Sequence, residues 1–260
     1  MIIDGRKMAA KVLARTKARA EKLWRRPRVV AFVVGEETPA TRSYLKTKAR
    51  SAVAAGCDFE VVANRDSFSR ADAVIVQLPL PPGMDTKAMC DSIPIGEDAD
   101  VLSTQARMKF EADEPGALIP PVAKAVAEIF SAYGINPTRK KAVVIGSGWL
   151  VGKPCATWLS HAGADVSHVS SRSGHFAELK HADIIISGAG VPKLIKPSML
   201  KQGVVFIDAG TSESDGTIAG DADPACADVC SLFTPVPGGV GPLAVACLFE
   251  NAVTLAERAS

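Results

Sequence analysis

The sequence predicts an α/β fold: two α/β domains with a cleft, the second a doubly wound Rossmann-like parallel sheet. Three observations carry this. Short apolar runs at 29–34, 73–78, 142–145, 184–186 and 204–207 have the length and β-branched content of strands buried on both faces. Helical patterns alternate with those runs through the second half, as in strand–helix–strand units of a parallel sheet. A glycine-rich turn joins one such strand to the helix that follows it.

The elements follow in order. Met8, Val12, Leu13, Thr16, Ala20, Leu23 and Trp24 recur at helical spacing, so a helix is expected over 6–25, stopped by Pro27. A strand over 29–34 ends at Gly35. A helix over 41–55 is closed by Gly56. A short strand at 59–62 and a buried strand at 73–78 follow, the latter cut by Pro79 and Pro81. The stretch 64–70 is too short for a full helix. Residues 83–118 read as irregular, apart from a short helix at 86–93. A helix over 122–133 then bridges the two domains. Strands at 142–145, 166–169, 184–186 and 204–207 alternate with helical segments at 151–162, 176–180 and 197–201, and a last helix covers 241–256. The domains expected are 1–121, joined by the C-terminal helix at about 241–260, and 122–240.

Composition narrows the function. Hydrophobic residues make up 47% and aromatics only 5%, so the core is mostly Val, Ile, Leu and Ala. The net charge of +2, from 30 basic and 28 acidic residues, argues against a nucleic-acid binder, which needs a clustered basic surface. The basic run Arg15, Lys17, Arg19, Lys22, Arg25 and Arg26 reads as a solvated helix face. No apolar run reaches the roughly 18 residues of a membrane span, and no leader pattern opens the chain. A soluble, cytoplasmic protein with no membrane partner is expected. The six cysteines and four histidines show no ligand spacing, so no metal is expected.

The turn Val144-Ile145-Gly146-Ser147-Gly148-Trp149-Leu150-Val151-Gly152 suits a dinucleotide. Gly146 permits the tight turn, and Gly148 lets the backbone approach a pyrophosphate at the helix start. Ser147, Val151 and Gly152 complete the candidate cofactor loop. At the end of the next strand, where an NAD site usually carries an acid, stand Ser171, Arg172 and Ser173. A guanidinium with hydroxyls accepts a 2′-phosphate, so the expected cofactor is NADP. An exposed polar loop is the plainer reading of the same residues.

Thr41, Tyr44 and Lys48 share one helical stripe, beside an apolar stripe of Leu45, Ala49, Ala52 and Val53. A lysine desolvated on one side has its pKa lowered towards useful basicity. Gln77 sits at the carboxyl end of a parallel strand, where open α/β sheets place ligand groups, and its amide can orient the amine. Singly, Lys48 also reads as a solvated helix lysine and Gln77 as a strand-end polar residue.

These segments, in their order along the chain, resemble the methylenetetrahydrofolate dehydrogenase/cyclohydrolase family. The matches are Pro39-Ala40-Thr41-Arg42-Ser43-Tyr44…Lys48, Val76-Gln77-Leu78-Pro79-Leu80-Pro81, Asp98-Ala99-Asp100, the turn with Val151-Gly152-Lys153-Pro154, and Thr234-Pro235-Val236-Pro237-Gly238-Gly239-Val240-Gly241-Pro242. The resemblance implies that Lys48 is the catalytic lysine, with Gln77 tuning it and Tyr44 stacking near the folate. It implies that Asp100 binds the pterin, with Thr41, Pro237, Gly238 and Gly239 among the substrate contacts. The activity implied is NADP-dependent oxidation of 5,10-methylenetetrahydrofolate to the 5,10-methenyl form and hydrolysis of that product to 10-formyltetrahydrofolate, in one-carbon metabolism. A homodimer is implied by the same analogy. The chain departs from the family pattern in a missing helix between 62 and 73, in Val101-Leu102 where the family has Gly-Phe, in Leu118-Ile119-Pro120-Pro121, in Gly148 for a serine, and in Ala244 for a threonine. Rival readings are a shikimate-type dehydrogenase of two α/β domains and a non-catalytic ligand-binding protein.

Overall fold

The structure is a computed structural model that describes residues 1–35, 38–64, 68, 70–172, 176–214 and 217–260, with only the backbone of 39, 40, 213, 214 and 217. In chain order the elements are α1 (Gly5–Ala20), β1 (Arg28–Phe32), α2 (Pro39–Ala54), β2 (Asp58–Val62), β3 (Ala73–Val76), α3 (Thr86–Asp91), α4 (Thr104–Glu111) and α5 (Pro121–Ala132). Then come β4 (Lys141–Ile145), α6 (Gly152–His161), β5 (Asp165–Val169), β6 (Ile184–Ser187), β7 (Val205–Asp208), β8 (Ser212–Ser214), β9 (Thr217–Ala219), β10 (Leu232–Phe233) and α7 (Val240–Ala259). The chain divides into two compact units: Ala9–Pro121 with Val245–Ser260, and Met1–Met8 with Val122–Ala244.

The first unit is built on a parallel sheet with β1 between β2 and β3. Alternation along the strands sends Val29 and Ile75 to one face, against Ala52, Ala55, Phe249 and Val253. Val30, Phe32, Val74 and Val76 go to the other, against Ile93, Phe68 and Met89. Every residue of β3 is therefore buried, which is why it reads as an unbroken apolar run. Helix α2 starts where the Thr38 hydroxyl accepts from Thr41 N–H, with Pro39 in the first turn.

Several expectations need correction here. Helix α1 ends at Ala20 instead of running to 25. Its buried stripe Val12–Thr16–Ala20 stops there, and the chain turns so that Arg25 can grip Asp72 with two bonds of 2.6 and 2.8 Å. Leu23 and Trp24 lie beyond the helix, and Trp24 is 79% exposed beneath the Arg25 guanidinium. Val53 does not join the apolar stripe of α2; it is 75% exposed. The stretch 83–118 holds a second helix, α4, opened by Ser103 accepting from Ala106 N–H. Only Ala106 and Phe110 of it are buried, too thin a stripe to give a periodic signal. By length and composition helix α7 could cross a membrane, although Glu250 and Asn251 interrupt its apolar run, and 67% of that stretch is buried in the fold. Most of the stretch 64–70 lies outside the described residues.

The second unit holds a five-stranded parallel sheet of order β10-β7-β6-β4-β5. The chain lays β5 on one side of β4 and then returns to the other side with β6. The carboxyl ends of β4 and β6 are therefore the switch point of the sheet, where such folds form a crevice. Val143, Ile145, Ile185 and Phe206 fill the core on one face with Leu179, Ile195 and Cys226. Residues 1–8 fall in this unit although the sequence groups them with the first domain. Ile3 N–H donates to Phe233 O at 2.9 Å and Phe233 N–H to Met1 O at 2.8 Å, so the N-terminus extends the edge at β10. Strand β10 and the β8–β9 hairpin had no signal in the sequence; both are two or three residues long.

Candidate active site

In the first unit, three of the candidate residues are brought together from three elements. Lys48 stands in the third turn of α2, Gln77 just past β3, and Asp100 in the loop before α4. Gln77 N–H still pairs with Phe32 O at 2.9 Å, so the residue is fixed at the carboxyl end of the sheet. Lys48 Nζ donates to Gln77 Oε1 at 2.9 Å, and Gln77 Nε2 donates to Leu78 O at 2.9 Å. With its amide nitrogen committed to a carbonyl, Gln77 presents oxygen, not N–H, to the amine. That acceptor is neutral, so it orients the amine without holding it as an ammonium in the way a carboxylate would.

Burial and charge act on Lys48 in opposite directions. Burial lowers the Lys48 pKa from its ordinary value, and the Asp100 carboxylate opposes that shift. Burial pushes Asp100 up to about 6, against the pull of the Lys48 charge. Both side chains keep some open surface through which a ligand could reach them. Tyr44, one turn before Lys48, is 44% exposed, and Thr41 is half-buried with its hydroxyl 2.9 Å from that of Thr38.

In the second unit, the turn after β4 is held by close backbone packing. Gly146 has φ +91°, and a Cβ there would lie 2.6 Å from Gly188 O. A Cβ on Gly152 would fall into the carbonyl of Gly146, and one on Gly188 into the side chain of Val151. These glycines close a tight backbone cradle at the switch point, at the start of α6, whose N-cap Val151 makes no side-chain bond. Such a cradle, with helix amides beside it, fits a pyrophosphate. Ser147 and Gly148 are exposed on the loop, with open space around the Cβ position of Gly148. Ser171 is half-buried and Arg172 exposed in the turn after β5, where Arg172 N–H donates to Ser170 Oγ at 3.2 Å. Ser173 lies outside the described residues. Pro237, Gly238 and Gly239 form the loop before α7: Pro237 is exposed, Gly238 has φ +106° and its carbonyl accepts from Gly5 N–H at 2.9 Å, and Gly239 N–H donates to Pro235 O at 2.8 Å. Among the described residues no group of acids, cysteines and histidines could hold a metal ion.

Two buried carboxylates at the same sheet end were missed. Asp221 accepts from Ser187 Oγ and Ala189 N–H, each at 2.7 Å, and from Val191 N–H at 2.9 Å. Asp208 accepts from Ala222 N–H at 2.8 Å and Gly210 N–H at 3.0 Å; burial pushes its pKa up to about 6 against those donors. Together they tie the loops after β6 and β7. Each lies within two residues of a glycine, in Asp208-Ala209-Gly210 and Gly220-Asp221, which by itself does not set it apart from other loop acids.

Comparison with known proteins shows the family. Residues 120–260 match the tetrahydrofolate dehydrogenase/cyclohydrolase, NAD(P)-binding domain. The chain is 34% identical over 278 residues to the bifunctional protein FolD of Lactococcus lactis subsp. cremoris (strain MG1363), covering 99% of this chain and 97% of that one. Among solved structures, the bifunctional FolD methylenetetrahydrofolate dehydrogenase/cyclohydrolase from Campylobacter jejuni superposes with a TM-score of 0.93 at 29% identity, covering 100% of this chain and 99% of that one. The Trypanosoma brucei N5,N10-methylenetetrahydrofolate dehydrogenase-cyclohydrolase, complexed with NADP cofactor and inhibitor, gives 0.89 at 28% identity, covering 100% and 98%.

Proposed function

The chain belongs to the tetrahydrofolate dehydrogenase/cyclohydrolase family, and from that premise we propose how its residues divide the work. It oxidises 5,10-methylenetetrahydrofolate with NADP and hydrolyses the methenyl product to 10-formyltetrahydrofolate. The nicotinamide, when bound, supplies the acceptor for the hydride that leaves the methylene carbon. In our reading the backbone of Gly146–Gly152 holds the cofactor pyrophosphate, and Arg172 with Ser171 and Ser173 faces the 2′-phosphate. Asp100 pairs through both oxygens with the aminopyrimidine edge of the pterin, and Tyr44 covers the folate ring. Thr41 and the loop Pro237–Gly239 complete the substrate contacts.

Lys48 is the base of the second step. Its amine takes a proton from the water whose oxygen bonds to the methenyl carbon. The resulting ammonium returns that proton to N5 as the carbon–N5 bond breaks, and the remaining hydroxyl proton leaves as the formyl group forms. The observation that supports this is the Lys48–Gln77 bond of 2.9 Å in a half-enclosed site. A lowered lysine pKa keeps more of the amine neutral near pH 7, and a neutral amide partner orients it at no cost in basicity. The working enzyme is further read as a cytoplasmic homodimer that binds neither nucleic acid nor membrane. The dimer rests on the family resemblance; the cytoplasm is consistent with six free, buried thiols.

The test follows methenyltetrahydrofolate absorbance after mixing the enzyme with methylenetetrahydrofolate and either NADP or NAD. The methenyl band should rise with NADP and then decay to 10-formyltetrahydrofolate. A protein that binds both ligands and forms no methenyl band would overturn the reading.

A further inference from the structure

Asp100 lies in a short stretch, 98–103, that is pinned on several sides. The buried Asp98 carboxylate accepts from Leu102 N–H at 3.1 Å and Ser103 N–H at 2.8 Å. Ser103 then opens α4. Val101, between them, sits at φ +57° while 2% exposed, a conformation a β-branched residue adopts only when its surroundings impose it. The remaining anchor comes from far along the chain. Asn251 of α7 is fully buried, and its Nδ2 donates to Ala99 O at 3.0 Å and to Ile119 O at 2.9 Å. Both acceptors are carbonyls, so only the NH₂ end of the side chain satisfies them.

Ala99 O belongs to the peptide whose nitrogen is that of Asp100. Fixing that oxygen restrains the peptide plane that carries the Asp100 nitrogen and Cα, the frame from which the Asp100 side chain projects. A buried asparagine in the apolar face of α7 is costly unless its donors are used. Here both are used, and one of them acts on the residue that begins the pterin contact.

We propose that Asn251 is a positioning residue for the folate reaction: by holding the Ala99 carbonyl it aims the Asp100 carboxylate at the pterin. This rests on the reading of Asp100 as the pterin-binding acid. Asn251 touches no substrate in this account and acts only through the backbone at 99–100.

A double-substitution cycle in the full-length enzyme tests it. Asn251→Ser retains one donor and leaves a small void; Asn251→Leu removes both donors and fills the space. Either should raise KM for methylenetetrahydrofolate about tenfold, as expected for a misaimed contact. KM for NADP should stay within about twofold. In an Asp100→Asn background the same substitutions should have no further effect on kcat/KM for the folate, because the interaction they serve is already lost. Losses that simply add, or equal rises in both KM values, would show a role in stability alone and overturn the proposal. If Asp100→Asn itself leaves folate KM unchanged, the reading of Asp100 fails first, and the proposal fails with it. Should neither Asn251 variant fold, the unaltered protein still decides. Its Asn251 side-chain amide resonances should shift on saturation with methylenetetrahydrofolate, and unmoved resonances would contradict the assignment.

Discussion

Lys48, Gln77 and Asp100 come from three segments of one unit, and the Lys48 amine is held by the Gln77 side chain, itself held by the Leu78 carbonyl. At the Gly146–Gly152 turn of the other unit, backbone packs against backbone at Gly146 and Gly152, where a side chain would collide. The difference has a physical reason. Proton transfer, the task proposed for the first, needs particular groups with tuned pKa values, which side chains and burial supply. Holding a phosphate, the task proposed for the second, needs unobstructed N–H groups, which the omission of side chains supplies. The first should fail through changes of charge and donor, the second through changes of volume.

The sharpest break between them is Gly152→Ala. The new methyl cannot fit against the Gly146 carbonyl. Overpacking of this kind costs about 1–3 kcal/mol, up to about a hundredfold in NADP affinity if the cradle takes the strain. Cyclohydrolase turnover of supplied methenyltetrahydrofolate should stay within about threefold. Parallel loss of both activities would mean the two regions do not fail separately.

Acid should injure the folate side in a defined way. Asp100 titrates at about 6, raised by burial, so its charged form is lost as pH falls through that value. Below it, kcat/KM for the folate should fall by up to tenfold per pH unit. Asp100→Asn, weaker at every pH, should show no such inflection. The same raised pKa means that burial of this carboxylate opposes folding increasingly as pH rises above the ordinary carboxylate range, in full above about 6, and has no such effect below that range. Asp100→Asn should therefore stabilise the protein at pH 7.5 and not at pH 4, a comparison read from urea midpoints.

Arg172→Gln should lower the preference for NADP over NAD about tenfold, the scale of one charge-assisted contact. Steady-state kcat/KM for each cofactor measures it, and an unchanged ratio would remove Arg172 from the 2′-phosphate. The smallest effect expected is on Val101→Gly. Loss of a buried valine costs about 2 kcal/mol, while relief of the left-handed conformation returns about 1–2 kcal/mol. The net change should stay within about 1 kcal/mol, measured by denaturant unfolding.

Much of the architecture was legible because burial on two faces leaves an unbroken apolar run. Strands β1, β3, β4, β6 and β7 and helices α2, α5, α6 and α7 all announce themselves that way or by strong periodicity. Helix α4 did not, since two buried residues make no stripe, and β10 did not, since two residues make no pattern. The end of α1 depended on Asp72, some fifty positions away, which no local window contains. For the candidate site, Lys48, Gln77 and the glycine turn stand out in the sequence through strand ends and spacing. Asp208, Asp221 and Asn251 do not, because each bonds backbone far along the chain, and Asp98, which bonds the N–H groups four and five residues on, looks in sequence like any other loop acid.

The proposed hydrolytic step depends most on an amine at position 48 that handles protons. The direct measurement is the time course of methenyltetrahydrofolate absorbance for Lys48→Met, supplied with methylenetetrahydrofolate and NADP. We expect the band to form and persist, with 10-formyltetrahydrofolate production lowered at least about a hundredfold, the usual range for loss of a general base. Decay of the band at the unaltered enzyme's rate would contradict it.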